Sequence, residues 1–325
     1  MSQQCDVVAM ATICNINYGN VSEEISSHNT TDYGSHNSID NSVGIHISVL
    51  VICIFGAVGN GIVIWLLGFR IKRNPFSTFI LNLAVADLGV LLSVPFIVFD
   101  MRTAFRYYYF YVNKITYLVF LFLFLSTYST SQFLLTAISI DRCVAVFFPL
   151  WHRCHRPPHL SAIVCALIWV LSFLLTTITY TLVFIYLNET VSMEEYYQFI
   201  ANALLCLPVM MIATGALFIK VCLKTKQHRR GKLLTIVLLT LLFFLLFAFP
   251  LNVKYIVDIF TDLSEYVTDG AIVLACLNSS VNPAIYILVG RQWRSRQRES
   301  MKMIFQKVFK EEEGCLEEAP VETQL

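Results

Sequence analysis

The 325-residue chain is too apolar and too poor in charge to be a soluble globular protein. Hydrophobic residues make up 57% of it and charged residues 14%, whereas a soluble domain carries about 25% charged residues. The mean hydropathy is +0.66, so a soluble domain is not expected. No nucleic-acid partner is expected either, and the formal net charge of +1 is uninformative until it is divided between the two faces of a membrane.

The apolar residues are concentrated in seven runs of about 20 to 28 residues, the length that a helix needs to cross roughly 30 Å of hydrocarbon. In lipid, only helices and closed barrels satisfy all their backbone groups, and these runs lack the alternation of barrel strands. The sequence therefore predicts an all-α membrane protein with a seven-transmembrane helix bundle. The runs are 43–69, 76–99, 115–140, 160–187, 196–219, 233–260 and 267–289.

Positive charges are distributed unevenly between the segments that join these runs. Of the 23 Lys and Arg residues, 19 lie between runs 1 and 2, 3 and 4, or 5 and 6, or after run 7. Loops rich in Lys and Arg mark the cytoplasmic face. We therefore expect a multi-pass protein of the plasma membrane with its N-terminus outside and its C-terminus inside.

The segment 1–44 has no Lys or Arg and is expected to be extracellular. It contains glycosylation sequons at Asn20 and Asn29, and a third sequon, at Asn188, falls between runs 4 and 5. All three are on the same predicted face, so we expect N-glycosylation at each. Residues 1–40 show no pattern of a secretory signal peptide, and the first run is expected to insert as the first anchor.

Several polar side chains lie within the apolar runs, where a charged group costs about 2.5 to 3.5 kcal/mol at mid-membrane. Residues spaced by four share a helix face, as in run 7, where Pro283 also interrupts the backbone hydrogen bonding. These side chains could simply join helices, but their spread over several helices favours a buried hydrated network that rearranges. The network residues are Asn60, Asp87, Ser131, Asn278 and Asn282, a candidate site for an allosteric sodium ion; no other cofactor or metal is expected.

Motif residues occur once per run, in an order and spacing that resemble rhodopsin-like (class A) G-protein-coupled receptors. They are Asn60, Leu83 to Asp87, Asp141-Arg142, Trp169, Pro208, Pro250 and Asn282-Pro283-Ala284-Ile285-Tyr286. The stretches RIKRNPF, LLTAISIDRC, WHRCHRP and SAIVCALIWVLS narrow the resemblance to the Mas-related receptor family, over about residues 60–310. The resemblance implies a receptor, not an enzyme, that binds an extracellular ligand and activates a heterotrimeric G protein.

The resemblance also implies roles for single residues. Asp141 would hold the Arg142 guanidinium at rest through a charge-assisted pair, and Arg142 would contact the G protein once the sixth helix swings outward. The other activation residues implied in this way are Pro250, Asn282, Pro283 and Tyr286.

The sequence departs from the class A pattern in ways that bear on activation. Before Pro250 it reads Phe247-Ala248-Phe249, without the usual Trp. Arg230 stands where an acid often locks the arginine of helix 3, and Ala216 replaces an expected Tyr. With fewer contacts that stabilise the inactive state, the receptor is predicted to signal without ligand.

The expected disulfide between the top of the third helix and the second outer loop is absent. Tyr117 occupies its first position, and segment 188–198 contains no Cys. Cys5 and Cys14 face the exterior in this topology and could pair with each other, which the sequence leaves open.

Single residues argue against two ligand classes. Amine receptors carry an Asp where this chain has Phe124, and opsins carry the retinal Lys where it has Cys276. The outer loops and the helix ends next to them contain eight acidic residues against three basic ones. An acidic vestibule attracts cations, so a cationic peptide is expected, although ordinary solvated loop charge explains the count equally well.

A lysine in the sixth run complicates the ligand prediction. Lys254 either pairs with Asp258 four residues on or receives an anionic group such as a peptide carboxylate. The candidate ligand-binding residues are Phe124, Tyr128, Lys254, Asp258 and Glu195.

The chain is therefore divided into four parts. Segment 1–44 is a glycosylated extracellular segment, 45–290 the receptor domain, 291–310 an amphipathic juxtamembrane helix on membrane lipid, and 311–325 an acidic cytoplasmic tail. The last four residues, with Thr323 and Leu325, fit the terminus that PDZ domains bind. Arrestin is a further candidate partner.

Two other classes of protein remain as alternatives. A transporter or channel could also carry a polar network in its membrane spans, but no internal repeat occurs and charged residues do not line several runs. An intramembrane enzyme would need paired Asp, Ser–His or metal-ligand spacing, which the runs lack.

Overall fold

The structure, a computed structural model, describes part of the chain. The described residues are 33–71, 74–103, 110–157, 159–186, 193–223, 242, 246–247, 249–258, 260–261 and 265–290. Side chains are described only within 44–99, 115–181, 197–220 and 242–285, apart from the gaps in these ranges. The chain forms two compact units, Met1–Val43 and Gly44–Leu325, and the packing described below is that of the second unit.

The described secondary structure is entirely helical. A π-helical turn, Leu66–Arg70, follows the first helix directly. The helices are α1 Tyr33–Trp65, α2 Pro75–Thr103, α3 Phe110–Phe147, α4 Pro149–Cys154, α5 Leu160–Tyr186, α6 Met193–Leu223, α7 Phe249–Val257 and α8 Glu265–Gly290.

Five helical segments in the described part of the chain are long and apolar enough to cross a membrane. They are Gly44–Arg70, Pro75–Phe99, Ile115–Phe147, Leu160–Thr181 and Tyr197–Lys220, and they coincide with the first five apolar runs. The prediction of an all-helical membrane protein is therefore confirmed. The sixth run lies mostly outside the described residues and the seventh forms α8, so the count of seven spans stays a prediction.

The third helix is longer than its apolar run. The sequence predicted that the run would end at Ile140, but α3 continues through Asp141 and Arg142 to Phe147. The two charges pair with each other, and the residues that follow them are again apolar, so the helix has no reason to end there. Pro149 then occupies the first turn of α4, a position that proline favours.

The α3 helix lies at the centre of the bundle, in contact with α2, α5 and α6, while α8 contacts α2 and α7. Two buried apolar clusters follow one another along α3. One cluster includes Leu121 and Leu125, and the other includes Leu134 and Ile138, nearer Arg142. We call the end of the bundle with the first cluster the Tyr255 end, because Tyr255 belongs to that cluster. The other end is called the Arg142 end, because Arg142 follows the second cluster along α3.

Two glycines allow helices to approach closely. A Cβ atom on Gly89 of α2 would lie 2.5 Å from Thr127 Cγ2 on α3. A Cβ atom on Gly56 of α1 would overlap the hydroxyl of Ser280 on α8. Small residues at such crossings bring membrane helices into van der Waals contact. The indole N–H of Trp169 on α5 adds a hydrogen bond of 3.1 Å to Asn82 Oδ1 on α2.

Candidate functional site

Asp87 of α2 is the centre of a polar network between the two apolar clusters. Its carboxylate is fully buried and accepts a 2.8 Å hydrogen bond from the Ser131 hydroxyl on α3. It accepts a second bond, also 2.8 Å, from Asn282 Nδ2 on α8. Three helices predicted to share a polar network therefore meet at one carboxylate.

Asn60 brings α1 into contact with the same region. Its Nδ2 donates to the backbone oxygen of Gly56 on its own helix, at 3.0 Å, and to that of Ser279 on α8, at 2.9 Å. Asp87 is thus hydrogen-bonded directly to Ser131 and Asn282, and Asn60 reaches α8 through the backbone of Ser279. We call these four residues, Asn60, Asp87, Ser131 and Asn282, the Asp87 network. Asn278, the fifth predicted residue, is buried on α8.

Pro283 lies next to this network on α8. A Cβ atom on Gly59 of α1 would lie 3.2 Å from Pro283 Cβ, so the proline ring packs directly against α1. The α8 helix is continuous from Glu265 to Gly290 through Pro283.

The predicted pair of Asp141 and Arg142 forms in the structure. Arg142 Nη2 donates to Asp141 Oδ2 at 2.6 Å, although both residues are on α3. The guanidinium also lies over the ring of Phe76 on α2, with Cζ 4.3 Å from the ring centroid. Arg142 is only 4% exposed, so its charge is held inside the bundle by a carboxylate and an aromatic face.

Asp141 has further partners that the sequence did not indicate. Its Oδ1 atom lies 2.8 Å from Arg156 Nη2 and 3.6 Å from His152 Nε2. Arg156 also contacts His152 Nε2 at 2.6 Å and donates to the Ser161 hydroxyl at 2.7 Å. We call these four residues, together with Arg142, the Asp141 cluster. It ties α3 to α4 and to the start of α5.

Lys254 and Asp258 pair as the i+4 spacing predicted. Lys254 Nζ lies 2.7 Å from Asp258 Oδ2, and both side chains are 9% exposed. The ammonium group also lies over the Tyr255 ring, 4.2 Å from its centroid. The lysine charge is therefore neutralised within its own helical turn.

Four aromatic side chains meet beside this pair and join α3, α6 and α7. Phe199 stacks on Tyr255, with centroids 4.1 Å apart, and meets Tyr128 edge to face at 5.4 Å. Phe124 stacks on Tyr128 at 5.5 Å. We call these four residues the aromatic cluster. It contains the predicted ligand residues Phe124 and Tyr128. The sequence analysis did not identify its two other members, Phe199 and Tyr255.

A cavity of about 50 Å³ opens at the Tyr255 end, between α2, α3, α7 and α8. This volume holds a few water molecules. Its lining is apolar and aromatic, and includes Tyr117, the residue at the expected disulfide position. The lining residues are Val94, Ile97, Val98, Tyr117, Leu121, Phe124, Leu251, Tyr255, Thr268 and Ile272.

A second buried polar cluster, which the sequence analysis did not identify, joins α3, α5 and α6. Gln198 Nε2 donates to Ser129 Oγ at 2.8 Å and to Thr176 Oγ1 at 3.1 Å, and Gln198 Oε1 accepts from Thr179 at 2.9 Å. Asn202 Nδ2 donates to the same Ser129 hydroxyl at 2.8 Å. We call these five residues the Gln198 cluster. The available signal was the spacing of Gln198 and Asn202, four apart in an apolar run.

Other predicted residues lie partly or wholly outside this description. Pro250 is half-buried at the start of α7. The side chains of Tyr286 and Glu195 lie outside the described residues. The same holds for the sequons at Asn20, Asn29 and Asn188, the helix 291–310, and the tail 311–325 with Thr323 and Leu325.

This bundle, with a buried arginine near one end and an aromatic-lined cavity toward the other, has the organisation of a transmembrane receptor. A family profile described as 7 transmembrane receptor (rhodopsin family) matches residues 59–286. The proto-oncogene Mas of Rattus norvegicus is 34% identical over 82% of this chain and 84% of its own length. The human Mas-related G-protein coupled receptor member F is 35% identical over 81% of this chain and 77% of its own.

A third relative covers more of the chain. Mas-related G-protein coupled receptor member H of Mus musculus is 35% identical over 87% of this chain and 88% of its own length. The chain therefore belongs to the Mas-related group of rhodopsin-family G-protein-coupled receptors, and it is a receptor and not an enzyme.

Proposed function

We propose that this receptor converts the binding of an extracellular peptide into activation of a heterotrimeric G protein through Arg142. The observation that carries the proposal is the buried pair of Asp141 and Arg142 about one and a half turns before the end of α3. A guanidinium kept inside the bundle by a neighbouring carboxylate becomes a contact for a partner once that pair is broken. Outward movement of the helix that contains α7 would open the space for this contact.

The surface beside Arg142 supports docking of a partner there. Phe148, Leu150 and Trp151, at the turn into α4, are 65%, 78% and 47% exposed. Large apolar side chains grouped on a surface favour protein or membrane contact. Because α4 is tied to Asp141 through His152, a partner on this surface would lie close to the buried arginine.

Replacing Arg142 with Ala tests the proposal. We expect second-messenger output to fall to the untransfected background while surface expression persists. The matched control is Arg70→Ala, which removes an exposed arginine that lies over Trp65 and should leave signalling unchanged. Normal signalling by Arg142→Ala would contradict the proposal. Ligand-dependent current or flux in cells without the G protein would favour a transporter or channel instead.

The same proposal places the receptor in the plasma membrane with its N-terminus outside. It is supported by the concentration of 19 of the 23 Lys and Arg residues in alternate connecting segments and the tail. Epitope tags at the two ends should be accessible from opposite sides of intact cells. Asn→Gln variants at Asn20, Asn29 and Asn188 should each reduce the glycosylated mass. Tags on the same side would contradict both the topology and an odd number of spans.

For the ligand, the charges favour a cationic peptide with an apolar or aromatic side chain. The acids of the outer segments attract cations, and the cavity beside Phe124 and Tyr255 has an apolar lining. Lys254 adds little opposing charge because Asp258 neutralises it. Basic and acidic peptides should therefore be compared for calcium or cyclic-nucleotide responses. Basic peptides should activate the receptor, and Asp258→Asn should shift the preference toward acidic peptides by exposing the lysine charge.

The Asp87 network supports an allosteric sodium site. Carboxylate, hydroxyl and amide oxygens suit hard cations, and a buried carboxylate is stable only when it is paired or hydrogen-bonded. Asp87, Ser131, Asn278 and Asn282 would hold the ion. Thermal stability of the solubilised receptor should be higher in sodium chloride than in an organic-cation chloride of equal ionic strength. The Asp87→Asn variant should lose this difference.

The proposal includes signalling without ligand and interactions of the tail. Ala216 in place of a tyrosine and the substitutions before Pro250 leave fewer resting-state contacts. Cells expressing the receptor should show output above untransfected cells, and equal output would contradict this part.

Segment 291–310 would lie on the inner leaflet, arrestin would bind the activated receptor, and a PDZ domain would bind Thr323 and Leu325. Deleting the last four residues should abolish PDZ binding alone.

A further inference from the structure

Arg142 and Arg156 both pair with the carboxylate of Asp141. This sharing affects the free energy that is needed to separate Arg142 from Asp141. The two oxygens of Asp141 have different partners. Oδ2 accepts from Arg142 at 2.6 Å, and Oδ1 faces Arg156 Nη2 at 2.8 Å. All three side chains are largely buried, with 12% of Asp141, 5% of Arg142 and 9% of Arg156 exposed.

Removing one cation from a buried carboxylate costs less free energy when a second cation remains beside it. If Arg142 were the sole guanidinium on Asp141, its departure would leave a buried charge without a cation, which is strongly unfavourable. With Arg156 in place, Asp141 keeps a guanidinium partner when Arg142 leaves. The second arginine therefore lowers the cost of breaking the first pair.

Arg156 is fixed in position by contacts that do not involve Arg142. It donates to the Ser161 hydroxyl at 2.7 Å and lies 2.6 Å from His152 Nε2. These contacts come from α5 and α4, so Arg156 would remain in place while α3 and the partner surface change. His152 also faces Asp141, at 3.6 Å, and stays with Arg156.

We infer that Arg156 is a positioning residue for activation, which holds Asp141 so that Arg142 can leave it. This inference rests on the proposed coupling through Arg142. It assigns a role to a residue at the α4–α5 turn, outside the pair itself. Arg156 does not contact the partner in this scheme, and it acts through the carboxylate of Asp141.

The test is a double-mutant cycle on signalling. Arg156→Ala should lower ligand-free and ligand-stimulated output about tenfold, within the range of coupling energies for one ion-pair network. In an Asp141→Asn background no carboxylate needs a second cation, so Arg156→Ala should have little further effect. Arg156→Lys should be intermediate, because an ammonium keeps the charge but loses the planar fork that reaches several partners.

Other outcomes overturn the inference. Equal losses in the two backgrounds would mean that Arg156 only shapes the α4–α5 turn. Unchanged or raised output from Arg156→Ala would mean that it does not ease the release of Arg142. The control Arg70→Ala removes an exposed arginine without touching Asp141 and should leave the output unchanged.

Failure of the inference is distinguishable from failure of the proposed function. If Arg142→Ala signals normally, the coupling proposal itself is wrong. If Arg142→Ala is silent and the cycle is additive, only the role of Arg156 is wrong. A second readout, thermal unfolding of the solubilised variants, should show that Asp141 and Arg156 are coupled in stability, and additive melting shifts would also overturn the inference.

Discussion

Phe199 on α6 and Tyr255 on α7 stack nearly face to face, with ring centroids 4.1 Å apart and an interplanar angle of 5°. Both rings are buried, and Phe199 also meets Tyr128 on α3. The segment before Pro250 has no tryptophan, so this stack is an aromatic contact through which a ligand at the cavity would act on α7. Tyr255 belongs to both the cavity lining and the stack.

Removing the stack should weaken both stability and the response to ligand. Tyr255→Leu keeps an apolar side chain but loses the ring, and we expect a loss of about 0.5 to 1.5 kcal/mol of stability beyond the change in buried area. Tyr255→Phe keeps the ring and serves as the control. Thermal unfolding and dose–response curves measure the two effects. A full response from Tyr255→Leu would contradict this role of the ring, and an equal loss in Tyr255→Phe and Tyr255→Leu would assign the role to the hydroxyl group instead.

Gly89 should be intolerant of even a methyl group. Gly89→Ala places its Cβ atom 2.5 Å from Thr127 Cγ2, so either the Thr127 side chain or the two helices must shift. Overpacking of this kind costs about 1 to 3 kcal/mol. The matched control is Gly215→Ala, because nothing lies within 4 Å of a Cβ atom there. Thermal melting should fall for the first variant and stay level or rise for the second.

A compensating change locates the clash at Gly89. Thr127→Ser removes the Cγ2 methyl group and keeps the hydroxyl that donates to Leu123 O at 2.7 Å. Combined with Gly89→Ala, it should recover part of the lost stability. Absence of any recovery would mean that Thr127 Cβ and Oγ1, which serine keeps at 3.0 and 3.2 Å from the new Cβ atom, set the spacing.

Gln198 should be important for the stability of the bundle although it touches no predicted motif. Gln198→Ala removes hydrogen bonds to Ser129, Thr176 and Thr179. Interhelical hydrogen bonds in membranes are individually modest, so we expect a loss of about 1 to 3 kcal/mol in thermal unfolding. Thr177→Ala, an exposed residue bonded only within its own helix, should change stability by less than about 0.5 kcal/mol. Similar melting of the two variants would contradict this role.

The pair of Lys254 and Asp258 should be more costly to break than to replace. Asp258→Leu alone leaves a buried ammonium group, at a cost of about 3 kcal/mol. The double variant Lys254→Met with Asp258→Leu should recover most of that loss, since apolar residues suit the site. Thermal unfolding of these two variants and of Lys254→Met alone completes the cycle. A double variant as unstable as Asp258→Leu would mean that the pair has a structural role beyond charge compensation.

The sequence predicted the helical class and several of the contacts. These contacts join residues that are close in sequence, or polar residues that lie in the middle of apolar runs. Lys254 and Asp258 are one helical turn apart, and Asp141 and Arg142 are adjacent. Asp87 and its partners are polar residues in the middle of apolar runs. Polar groups at that depth bind one another because few other polar partners are available there. For these residues, identity and position in the run were sufficient.

Contacts that depend on helix rotation and on connecting turns could not be predicted in this way. Arg156 reaches Asp141 only because the α4–α5 turn brings it back against α3. Gln198 meets Ser129 because α6 turns that face toward α3. Hydropathy fixes which segments are buried, but it does not fix their rotation about the helix axis. The same holds for α3, whose end depends on pairing at Asp141 and not on the apolar run.

Ser129 accepts hydrogen bonds from both Gln198 and Asn202, which are on successive turns of α6. A slide or a twist of α6 by one residue would therefore break both bonds together, and no intermediate position keeps either. The two bonds together favour a single register between α3 and α6. A displacement of α7 against α6 would instead slide the Phe199 and Tyr255 rings over one another, and ring stacking depends less on direction than a hydrogen bond does.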